Sequence, residues 1–297
     1  MQENNSVSTG ETQNMMPARK VNPFIQLLKA FCYFLLFLGL QLGVTFVGAI
    51  LYGIIAALKL AQEGKALSPN DSTALMLKFV TDCTYPVLIV YAVLLLLFLW
   101  LFFVIRKKKV LQETFAVSFQ PRFIPAILLL SVGFAFFFNT ALNLLPEAWL
   151  ADYAESSSFV GKGPLFLSLL GGAICAPIAE EVIFRGLIYS RLKKAFPTAV
   201  AIALSSLLFG LVHGQVLWTA YTFILGSCLC LVAEKTGSIL PTILIHILFN
   251  AFGIGLEHIG AGYTIGLFYT MFLSGILFII LGFILLYRKR PEETAAE

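Results

Sequence analysis

Long runs of apolar residues, broken by short polar stretches, dominate the chain. Eight runs can be marked, at about 30–58, 83–105, 123–145, 164–189, 198–215, 216–233, 238–256 and 264–287. Most approach or exceed the roughly 20 residues that a helix needs to cross the hydrocarbon of a bilayer. The two-residue alternation of an outer-membrane barrel strand is absent. The pattern predicts an all-α, polytopic membrane protein with about eight transmembrane helices. His213, Gly214 and Gln215 form a very short break between the fifth and sixth runs, which predicts a tight antiparallel hairpin. Glu234-Lys235-Thr236-Gly237 is a similarly short connection before the seventh. Residues 1–23 are polar and read as a mobile cytoplasmic tail, and 24–290 as a single transmembrane helical domain. The first apolar run follows Lys29 and is long, as in a retained span rather than a cleaved signal peptide.

Composition supports the same class. Hydrophobic residues make up 59% and charged residues only 12%, against about 25% charged in ordinary soluble domains. Mean hydropathy is +0.90. The net charge of +4 is no nucleic-acid signal, because the basic residues gather at the ends of apolar runs. Arg19, Lys20 and Lys29 precede the first run, and Arg106 to Lys109 with Arg122 follow the second. Arg191, Lys193 and Lys194 follow the fourth, and Arg288, Lys289 and Arg290 the eighth. Basic residues thus favour alternate connections, which by the positive-inside tendency puts both termini in the cytoplasm. The five cysteines lie in or beside apolar runs, without the spacing of a disulfide framework or zinc finger. Trp100, Trp149 and Trp218 stand near run ends, as interfacial anchors do. Glu257 and His258 follow the seventh run and read as solvated loop residues.

Against this background a few polar side chains stand out. The fourth run reads CAPIAEEVIFRGLIYSR from Cys175 to Arg191 and holds Glu180, Glu181 and Arg185. A charge at the centre of a bilayer costs at least about 2.5–3.5 kcal/mol on insertion scales. Glu181 and Arg185 are four apart, so they share a helix face and can pair, which makes a structural ion pair their simplest reading. Glu180 is rotated by about 100° from Glu181 and must point elsewhere. His213 closes the stretch FGLVH that begins at Phe209, and His246 and Asn250 bound HILFN in the seventh run. A single histidine in a span can simply hydrogen-bond between helices. A spare carboxylate, two histidines and an amide on three helices point to a site instead.

These residue types allow hydrolysis. No G-x-S-x-G or H-E-x-x-H motif occurs. A desolvated carboxylate can take a proton from water. The histidines can hold a zinc ion that acidifies the water, or can bind the water and the developing oxyanion without a metal. Asn250 can donate to that oxyanion.

The three motifs EEVIFR (Glu180 to Arg185), FGLVH and HILFN, each on its own apolar run and in this order, resemble the CAAX prenyl protease and bacteriocin-processing (CPBP) family of intramembrane proteases. The resemblance covers about residues 160–256. It implies that Glu180 is the catalytic carboxylate, with His213, His246 and Asn250 as its partners and Glu181, Arg185 and Phe209 in support. It also implies a metalloprotease, with Zn2+ on Glu180, His213 and His246, or a metal-free mechanism driven by the glutamate.

The expected activity is hydrolysis of a peptide bond in a membrane-associated or lipidated peptide or protein, such as a C-terminal CaaX segment. The expected partners are membrane lipids and that substrate, with no nucleic acid, and the expected location is the plasma membrane if the source is bacterial. Two other classes compete: a non-catalytic bacteriocin-immunity or scaffold protein, and a proton-coupled transporter. The latter often shows two related halves, and no internal repeat occurs here. One tension remains within the reading. With the run boundaries above, Glu180 and His213 differ in depth by on the order of 15 Å.

Overall fold

The computed structural model describes residues 22–64, 69–157, 160, 162–260 and 264–289, and the predicted N-terminal tail lies almost wholly outside them. All eight apolar runs are helices, and no strand occurs among the described residues. Seven helices are long and apolar enough to cross a membrane, and the protein is an integral multi-pass membrane protein. The first two overshoot the sequence-based limits. α1 spans Pro23–Gln62 and α2 spans Pro69–Ile105. At ~1.5 Å per residue, α1 is about 60 Å long, twice the hydrocarbon thickness. Asn22 sets its start by accepting a hydrogen bond from the Phe24 amide at 2.9 Å, with Pro23 at the first helical position.

A single-turn helix α3 (Val110–Glu113) leads to α4 (Ile124–Ala141), and the short helix α5 (Glu147–Ser156) follows. α6 (Leu165–Leu192) carries the two glutamates. The fifth apolar run is the exception in length. Its helix, α7, covers only Thr198–Leu211, about 21 Å. It stops because the chain turns at Val212–Gly214, where Gly214 takes a positive φ of 74°. Gln215 then caps α8 (Val216–Thr236) by accepting from the Trp218 amide at 2.7 Å. α9 (Leu240–His258) and α10 (Ile265–Tyr287) complete the chain.

Without a hydrophobic drive between spans in lipid, close approach depends on small residues. Gly133, Gly275 and Gly282 serve α4 and α10: a Cβ on Gly275 would come within 2.7 Å of the Phe137 amide nitrogen. Gly210 serves the α7–α8 hairpin, where a Cβ would lie 2.7 Å from the Thr219 carbonyl oxygen.

The basic connections meet on one face. Arg191 pairs with Glu113 at 2.9 Å, and Glu113 also takes Lys108 at 2.9 Å. Partial burial pushes the Glu113 carboxyl up, but the two cations hold it below the usual carboxylate range. Lys193 pairs with Glu234, which also accepts from the Tyr189 hydroxyl at 2.9 Å. The Ile239 amide donates to the Phe115 carbonyl at 3.0 Å, and the Ser238 hydroxyl to that of Val117. The segment after α3 is thereby stitched beneath α6 and α9. Gly186 of α6 makes room for it: a Cβ there would sit 2.6 Å from the Thr114 carbonyl oxygen. Because that backbone is already bonded to Ile239, it cannot simply withdraw. Gly186→Ala is expected to cost about 1–3 kcal/mol through overpacking, read as a lower melting temperature in detergent. An unchanged melting temperature would disprove the close approach.

Candidate active site

α6 is not a uniform helix. Wide, π-helical turns occupy Leu169–Cys175 and Val182–Tyr189, and the ordinary α stretch Ala176–Glu181 between them bears both glutamates. Such turns concentrate at functional sites because they rotate the following side chains out of regular register. Pro177, which lacks an amide proton to donate backward, lies just after the first wide stretch. The wide turns also expose backbone. Gly171 and Gly172 let Tyr85 of α2 approach to a distance at which an added Cβ would clash, at 2.7 and 2.9 Å. The Gly172 carbonyl is free to accept from Asn250 Nδ2 at 2.9 Å.

The predicted rotation of Glu180 from Glu181 is seen directly. Glu181 faces inward and is fully buried, whereas Glu180 borders a cavity. Glu181 Oε1 accepts from Arg185 Nη1 at 2.7 Å and also lies 2.9 Å from His246 Nδ1. A carboxylate bound to arginine only accepts, so His246 donates from Nδ1. Its Nε2 is then bare in the neutral ring, and it stands 3.7 Å from Glu180 Oε2. That gap is too long for a direct hydrogen bond and short enough for one water to reach both atoms.

His213 lies in the turn after α7. Its Nδ1 is 3.0 Å from the Phe209 carbonyl oxygen, which again assigns the proton to Nδ1 and leaves Nε2 bare. Phe209 organises the surroundings. Its ring contacts those of His213 (centroids 5.3 Å apart) and His246 (5.8 Å), and the Arg185 guanidinium lies over its face at 4.3 Å. Gly226 of α8 leaves room for that stack, since a Cβ there would come within 3.0 Å of Arg185 Nη2. The depth tension resolves through α7: because it stops at Leu211, His213 sits inside the bundle at the level of the site.

Glu180, His213, His246 and Asn250 all line one cavity of about 1050 Å³. Sequence reasoning missed several of its walls. Trp218, expected as an interfacial anchor, instead packs its ring against His213 at 5.4 Å and against Tyr153 of α5 at 6.0 Å. Tyr221 joins Tyr153 at 6.2 Å. Glu257 is exposed, as expected, and it also borders the cavity. It stands seven residues beyond Asn250 on α9, a same-face spacing that could have signalled it.

The resemblance leaves open a zinc ion on Glu180, His213 and His246. Among the described residues, no three His, Cys, Asp or Glu side chains are grouped so as to hold a metal ion. His246 and His213 each give Nδ1 to a protein oxygen, as metal-ligating histidines do, so their Nε2 atoms, with Glu180 on the same cavity, are the donors a metal would use.

No curated protein and no solved structure matches the chain. Residues 162–252 match the model of a protease family described as type II CAAX prenyl endopeptidase Rce1-like. That stretch holds all three motifs, so the resemblance to CAAX-type intramembrane proteases read from them holds across the segment that builds the site.

Proposed function

We propose that the protein is an intramembrane endopeptidase that hydrolyses a peptide bond in a membrane-associated peptide or protein. The observation that carries this reading is the pair of acceptors, Glu180 Oε2 and His246 Nε2, 3.7 Å apart on the wall of a cavity large enough for a peptide. One water can donate a hydrogen bond to each, which leaves an oxygen lone pair for attack on the scissile carbonyl. As the C–O bond forms, Glu180 takes the proton. Asn250 Nδ2 has a second hydrogen beyond the one given to Gly172, and it donates to the oxyanion. The oxyanion then collapses, the C–N bond breaks, and Glu180 passes its proton to the leaving nitrogen. His213 lines the same cavity and supplies a second bare Nε2 that can orient water or substrate. Glu181 and Arg185 act through His246: they fix its tautomer and its ring. No step in this reading is routed through a metal.

The test is purified protein in detergent with a quenched fluorescent, lipidated peptide, alongside elemental analysis. Cleavage that survives chelation at less than one zinc per ten chains is expected. His246→Gln is expected to lower kcat by about 10²-fold, since it removes one of the water's two acceptors. Cleavage that vanishes on chelation and returns with stoichiometric zinc would overturn the metal-free mechanism. Absence of any cleavage, with ion-driven uptake into liposomes, would favour transport instead.

A further inference from the structure

We infer that the site is entered from the face opposite the basic connections, which is the extracytoplasmic side, and that it takes a cationic peptide segment exposed there. The inference rests on the peptidase reading for the word substrate, but not for the direction of entry.

Three observations carry it. First, the cavity runs one way. Its deep end is at the largely buried Glu180 and His246, and its other end is bordered by the exposed Glu257, in the last turn of α9, and by Ser157 and Gly260 of the connections remote from the basic face. His246, Asn250, Gly253 and Glu257 form one stripe along α9 (spacings of four, three and four), and all four border the cavity. From His246 to Glu257 the stripe rises about 16 Å.

Second, the opposite approach is filled. Thr114 lies against Gly186, Ile239 and Ser238 are bonded to Phe115 and Val117, and Arg191 and Lys193 are paired with Glu113 and Glu234. A chain end in the leaflet on that side meets packed protein below Glu180 rather than an opening.

Third, the two faces differ in charge. The closed face carries Lys29, Arg106 to Lys109, Arg122, Arg191, Lys193, Lys194, Lys235, Arg288 and Lys289, with Glu113 and Glu234 as the acidic residues among the described ones. The open face carries Glu63, Asp82, Glu147, Asp152, Glu155 and Glu257 against Lys59, Lys78 and Lys162. The positive-inside tendency places the first in the cytoplasm. The charged lining of the cavity itself is Glu180 and Glu257, with no lysine or arginine among its described walls. No lysine or arginine there pairs with a free C-terminal carboxylate, whereas Glu257 at the mouth favours a lysine or arginine some distance along the chain from the scissile bond.

The entry face is tested on intact cells with a membrane-impermeant maleimide. The wild type, whose five cysteines lie in or beside apolar runs, gives the background. Glu257→Cys is expected to label in intact cells, and Lys107→Cys only after permeabilisation; the reverse pattern overturns the entry face. The charge class is tested by binding, with Glu180→Gln in nanodiscs so that turnover plays no part. The probes are palmitoylated decapeptides that end either in Lys-Lys amide or in Glu-Glu free acid. The cationic peptide is expected to bind at least about tenfold tighter at low salt, and Glu257→Gln in the same background to erase most of that preference. Equal or tighter binding of the acidic peptide overturns the charge class. Cationic preference and outward labelling without any wild-type cleavage would sink the peptidase reading alone.

Discussion

Glu180→Gln is expected to lower peptide hydrolysis by about 10²–10⁴-fold, the usual contribution of a positioned general base, while the protein folds as before. The two halves of that expectation come from different parts of the structure. The amide has the same shape as the carboxylate but cannot accept a proton from water at neutral pH. Glu180 makes no direct hydrogen bond to His246, whose Nε2 is 3.7 Å from its Oε2. Its side chain borders a cavity rather than a packed interface. The melting temperature in detergent should therefore stay within a few degrees of wild type. The measurement is turnover per mole of monodisperse protein, together with a thermal melt. Turnover within tenfold of wild type would remove Glu180 from the chemistry. Survival of a biological function such as immunity, at normal protein levels, would assign that function to binding alone.

The neighbouring charge is expected to behave in the opposite way. Arg185→Ala should destabilise the fold by about 3–5 kcal/mol, because it leaves Glu181 as an uncompensated buried charge. The pair lies wholly inside the bundle, with both side chains at 0% exposure. It is also an incomplete network. Among the described residues, Arg185 Nε and Nη2 and Glu181 Oε2 have no well-formed hydrogen bond, and the guanidinium lies over the face of Phe209. Such a pair gains little over an apolar substitute of similar volume but is expensive to break from one side. The double variant Glu181→Gln/Arg185→Met should therefore be more stable than Arg185→Ala. It should nonetheless lose turnover, because an amide no longer holds the His246 imidazole as a carboxylate does. Equilibrium unfolding in mixed micelles would measure the first effect, and single-turnover cleavage the second. A cost below about 1 kcal/mol for Arg185→Ala would show that the pair is not the buried anchor described here.

The class of the protein, the existence and order of its helices, and the identity of its polar core could all be read along the chain. Lipid imposes strong rules: every backbone polar group must be satisfied within a span, so apolar runs of sufficient length become helices whatever their neighbours do. Charges inside such runs are costly enough that Glu180, Glu181, Arg185, His213, His246 and Asn250 stand out without any coordinates. The four-residue spacing of Glu181 and Arg185 was sufficient to predict their pairing, because that contact is local to one helix.

What the tertiary structure decided lies between helices. The wide turns of α6, the early stop of α7 at Leu211 and the inward turn of Trp218 depend on packing against other segments, so apolar periodicity carries no trace of them. The same holds for which oxygen each imidazole chooses. His246 gives its Nδ1 proton to a carboxylate 65 residues away in the chain, and that one contact fixes which nitrogen faces Glu180. The cavity likewise arises only when residues of α5 and the α7–α8 hairpin meet those of α6 and α9. Local chemistry named the candidate polar groups, and long-range packing set their geometry.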